Sequence, residues 1–109
     1  APTAIAHILI LRRYSPVTWG TETLVDIDAA SETLLSANAN RRGLAVKNVS
    51  TASQIITLSI TTPAVDNVGF LVLAAGEGYV WNPLDAVTTQ AIYAISSAAN
   101  GSLALSEGT

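Results

Sequence analysis

Cysteine and methionine are absent from this 109-residue chain, and histidine occurs once, at His7. Without thiols there is no disulfide framework, no thiolate nucleophile and no thiolate metal site. One histidine excludes a zinc site built from His and Cys within one chain, and a histidine-based triad unless His7 serves it. Charge is also scarce: Lys and Arg number 5, Asp and Glu 8, and together they form 12% of the chain, about half the usual share. A net charge of −3 does not provide the basic face of a general nucleic-acid binder. No apolar stretch approaches the roughly 20 residues that cross a bilayer, and the run Ile5 to Leu11 is too short for that. It also lacks the basic lead and small-residue cleavage site of a signal peptide. The expectation is a soluble protein made in the cytosol, with no membrane and no nucleic acid among its partners.

Half of the residues are apolar, but 18 are alanine, against two Trp and one Phe. Low charge with a small-residue apolar excess points to surface covered by other chains rather than by water. The length suits one domain, 1–109, with a core large enough to fold without staples.

The dominant period is two. Val25 and Ile27 alternate with Leu24, Asp26 and Asp28; Leu44, Val46 and Asn48 alternate with Ala45, Lys47 and Val49; Ile56, Leu58 and Ile60 alternate with Ile55, Thr57 and Ser59. Phe70–Leu73 runs into Ala74-Ala75-Gly76-Glu77-Gly78 and returns as Tyr79-Val80-Trp81, which reads as a hairpin. A second hairpin signal, Asn100-Gly101, separates Ala91–Ile95 from Ser102–Ser106. Ala29–Asn38 reads as a loop or a single helical turn capped by Ser31. Closely spaced strands with these turns predict an all-β fold, a small antiparallel β-sandwich or jelly-roll-like barrel of about 7–9 strands. The N-terminal run Ile5–Leu11 is apolar on both faces and has two readings. Either it is a central strand of the domain, or residues 1–13 form an arm or exchanged strand that pairs with a neighbouring subunit.

Chemistry-bearing patterns are few. Asp26 and Asp28 read as a solvated strand face, because paired carboxylates act in hydrolysis only across a cleft, and calcium needs more oxygen ligands. Gly76-Glu77-Gly78 lacks the Gly-Lys-Ser/Thr ending of a phosphate loop and reads as a turn. Serines and threonines have no base partner. No catalytic residue, metal site or cofactor is therefore expected, and the chain reads as a non-enzyme. Arg41 and Arg42 at a strand entrance, with Arg12 and Arg13, are either candidate clamps for a partner's acidic groups, since guanidinium pairs with carboxylate in bidentate fashion, or exposed residues, with one of the Arg41-Arg42 pair bridging to an acidic residue such as Glu32. Tyr14, Trp19, Tyr79 and Trp81 are either core and interface anchors or a sugar-stacking platform.

The segments SETLLSANANRRGLAVKNVS (31–50), LAAGEGYVW (73–81) and QAIYAISSAANGSLALSEG (90–108) together resemble small virion proteins of tailed bacteriophages. The resemblance covers residues 31–109. It implies a β-sandwich that decorates the capsid exterior or belongs to the neck or tail, with Asn40, Arg41, Arg42, Gly43, Asn48 and Ala91–Ile95 as architectural positions. On that basis the expected function is a capsid decoration (cement) protein, located on the virion. It would bind the major capsid protein or another virion protein, and form a homo-oligomer, a trimer or dimer. The alternative is a neck or tail accessory protein or host-glycan-binding module. The residues expected to hold the partner are Ile5, Ile8 and Ile10 for strand or arm burial, Arg12, Arg13, Arg41 and Arg42 for polar contacts, and Trp81.

Overall fold

A computed structural model describes residues 17–81 and 87–109. The expected strand or arm at 1–13, with Ile5, Ile8, Ile10, Arg12 and Arg13, lies outside the described residues. Eight strands form among them: β1 (Thr23–Ile27), β2 (Glu32–Leu35), β3 (Gly43–Asn48), β4 (Ile56–Ser59), β5 (Leu71–Leu73), β6 (Gly78–Trp81), β7 (Ile92–Ser96) and β8 (Gly101–Gly108). They build two four-stranded antiparallel sheets, in the orders β1-β8-β3-β6 and β2-β7-β4-β5. The expected all-β sandwich is what the chain adopts, and the strand order is that of a jelly roll.

Alternation explains which face each strand buries. In β3, Leu44, Val46 and Asn48 are buried while Lys47 is exposed. Its partner β8 turns Leu103 and Leu105 to the same side. Across the gap, β4 contributes Ile56 and Leu58, and β7 contributes Ile92 and Ala94. Each fully buried Leu or Ile contributes about 2 kcal/mol relative to exposure. Strand β4 is buried on both faces because the 60–70 connection folds over it. There the Asn67 amide donates to Thr57 Oγ1 at 3.0 Å, and Gly69 lies directly against the Leu58 carbonyl.

Two local expectations are corrected. Residues 32–35 are a strand, not a loop or helical turn, and pair with β7 through a register shift between Thr33 and Leu35. Neither glycine turn makes a hairpin within one sheet. Residues 74–77 carry the chain from β5 in one sheet to β6 in the other, and residues 97–100 carry it from β7 to β8 in the same way. A two-residue hairpin loop joins strands about 5 Å apart, whereas sheets stack about 10 Å apart and need the longer connections seen here. Asn100 (φ 67°) and Gly76 (φ 88°) supply the left-handed backbone that these turns require.

Candidate partner-binding surface

The polar motif around β3 holds the two poles of the sandwich. At its entrance, Arg41 is buried, at 3% exposure. Its Nε donates to Glu107 Oε2 at 2.6 Å, Nη1 donates to the carbonyls of Thr88 (2.8 Å) and Gln90 (2.9 Å), and Nη2 donates to Ser36 O at 2.8 Å. One guanidinium thus ties the segment before β3, the segment before β7 and the end of β8 together. At the exit, the buried Asn48 side-chain amide donates to Gln54 O and to Leu73 O, both at 2.9 Å, and its Oδ1 accepts from the Ser50 amide. Leu73 belongs to the opposite sheet, so Asn48 pins the two sheets to each other as well as bonding across its own connection.

The expectation that Arg41 clamps a partner is therefore corrected. Its donors face internal carbonyls and Glu107, and none of these can be surrendered without leaving a buried cation. Arg42 is half-buried, and its amide donates to Gly108 O at 2.8 Å. Asp26 and Asp28 are exposed, as a solvated strand face requires, and Glu77 accepts from the Ala74 amide within its turn. No three His, Cys, Asp or Glu residues come together among the described residues.

Trp81 lies elsewhere, in an apolar surface that closes one side of the sandwich. It pairs with Leu44 across β6 and β3, so both side chains face the gap between the sheets. Tyr79, two residues earlier on the same face, stacks tilted on Trp81 with ring centroids 4.5 Å apart. Phe70, from the other sheet's side, meets Trp81 edge to face at 6.0 Å. These rings leave a groove of about 200 Å³ lined by Leu44, Ile60, Phe70, Trp81, Val87 and Thr88. Ile60, Phe70 and Tyr79 are each more than 40% exposed around it, and Val65 and Val68 extend the apolar surface beyond. Trp19 is not part of it. Its ring lies over Gly43, on the face of the sheet opposite to Leu44 and Trp81, so the two tryptophans form no common platform.

The sheet edges differ sharply in how they are guarded. On one side, β1 carries Asp26 between Glu22 and Asp28, and β2 begins at Glu32. On the other, β5 (LVL) and β6 (GYVW) carry no charge and no proline. Natural edge strands are normally protected by charges, prolines or cover. Sequence reading singled out Tyr79 and Trp81 but missed Ile60, Phe70 and Val87, which the 60–70 connection and the start of the β7 approach bring beside them. The available signal was the absence of charge from both edge strands at once.

No family model matches the chain, and no curated protein matches it. A solved structure of Bacillus, described in the words "Bacillus endospore appendages form a novel family of disulfide-linked pili", aligns over 86% of this chain and 89% of that one, at 13% identity and a TM-score of 0.44. A likeness that distant carries no functional argument, and these 109 residues contain no cysteine.

Proposed function

We propose that this chain is a non-enzymatic structural protein of a tailed-phage virion, a decoration protein that binds the assembled capsid and stabilises it. The observation that supports the reading is the uncharged, aromatic-rimmed side of the sandwich set against a charge-guarded opposite side. Such a surface is suited to burial by protein. The resemblance of residues 31–109 to small phage virion proteins supplies the setting, and the major capsid protein is the partner proposed. The mechanism is linkage. A protein that binds only the assembled shell stabilises it by mass action, and repeated attachment on a symmetric lattice multiplies weak contacts.

The test adds purified protein to capsids assembled without it. Saturable binding at a fixed number of copies per capsid subunit, with a rise in the shell's thermal disruption temperature, is the expected result. Shells that neither retain the protein nor gain heat resistance would refute the proposal. Binding confined to necks or tails would assign it to the accessory class instead.

A further inference from the structure

The groove beside Trp81 has an edge strand along it and nothing over it among the described residues, while the chain carries one segment of matching chemistry elsewhere. We propose that residues Ile5–Leu11 of a second copy of this chain enter this groove as an added strand beside β6. Three observations lead there.

The first is the receptor. Among the described residues strand β6 ends its sheet, and none of them pairs with the outer side of Gly78–Trp81, the template used in β-augmentation. A strand laid there places alternate side chains in the space between the two sheets, against Tyr79, Trp81, Phe70 and Ile60. The second is the ligand. In Ile5-Ala6-His7-Ile8-Leu9-Ile10-Leu11, the positions Ala6, Ile8 and Ile10 share one strand face and are wholly apolar. His7 falls on the other face, so the groove takes Ile8 and Ile10 and leaves the imidazole outside. The uncharged edge accepts this run with no buried ion to compensate.

The third is the path of the chain. Thr18 and Thr109 exchange amide-to-carbonyl hydrogen bonds, at 2.9 and 3.0 Å, and the Gly20 amide donates to Glu107 O. Residues 18–20 therefore run antiparallel to the end of β8, on the side away from β3, so that β8 and β3 lie between this start of the described chain and β6. The 16 residues that precede Val17 extend up to about 50 Å, enough to reach a neighbouring copy. An arm of one copy in the groove of the next is a heterologous contact, which closes a ring or continues as a row.

The proposal is independent of what the assembly decorates, and its test contains no capsid. Native mass is measured for the full chain and for Ile8→Asp and Ile60→Arg, which disable the arm and the groove respectively. Wild type is expected to assemble and each variant to be monomeric. Mixing the two variants is expected to restore a one-to-one pair, because each retains the half the other lacks. If Ile60→Arg shows no cooperative melting, a cysteine pair replaces it. Since the chain has no native cysteine, Ile8→Cys mixed with Phe70→Cys is expected to give an oxidised dimer. A monomeric wild type at millimolar concentration overturns the proposal. So does an Ile8→Asp chain with wild-type mass, or a chain carrying both cysteines that cross-links to itself as a monomer.

Discussion

The two residues that do most to hold the sandwich closed are polar, and both flank one strand. Arg41 spends four hydrogen bonds on three backbone carbonyls, from two segments, and on Glu107, and Asn48 reaches the opposite sheet at Leu73. Replacing Arg41 by Lys keeps a charge but loses the planar fork, so several buried carbonyls lose their donor together. A loss of about 3 kcal/mol is expected, read as a lower urea midpoint. Asn48→Asp turns a donor into an acceptor facing two carbonyls, and a comparable loss is expected in the same measurement. The sequence made Arg41 and Arg42 equivalent. What separates them is the direction of the preceding turn, in which the Arg41 amide donates to Asn38 O; alternation with Leu44 and Val46 would have put Arg42, not Arg41, on the buried face. Asn48 was legible, because its alternation with Leu44 and Val46 already put a polar group on the buried face.

At the scale of elements, the alternating strands were readable and their partners were not. The segments holding Leu44, Val46, Ile56 and Leu58 announce their buried faces by period alone, whereas β2 is only four residues long and its register shift breaks the period. The glycine turns were visible as turns, but whether they join strands in one sheet or cross to the other depends on packing that no local pattern encodes. The 60–70 connection is the clearest such case, since it covers β4 only because Gly69 has no side chain. A Cβ there would run into the Leu58 carbonyl and come within 2.8 Å of the Thr57 methyl. Gly69→Ala is expected to cost about 2 kcal/mol and to raise amide exchange at Asn67 and Phe70 ahead of the rest of the sandwich. Uniform destabilisation without local exchange would show that the connection is not seated independently.

For the whole molecule, the division of edges into guarded and unguarded sides sets the direction in which copies can meet. Half of the eight acidic residues, Glu22, Asp26, Asp28 and Glu32, flank the β1–β2 side, against Asp66 and Glu77 around β5 and β6 among the described residues, so contact through the β5–β6 side meets less repulsion. This asymmetry was within reach of the sequence only once the strand order was known. The mutual hydrogen bonding of Thr18 and Thr109 has a further consequence for handling the protein. It gives the molecule a crowded pole, where Thr18, Thr109, Arg41 and the groove all gather, and an opposite pole where the exposed 97–100 turn is bonded to Gln54 and Ile55. An epitope spliced into that turn is expected to leave the assembled state unchanged, whereas the same epitope spliced in beside Thr109 is expected to disrupt it. An inserted sequence therefore belongs at the turn and not beside Thr109.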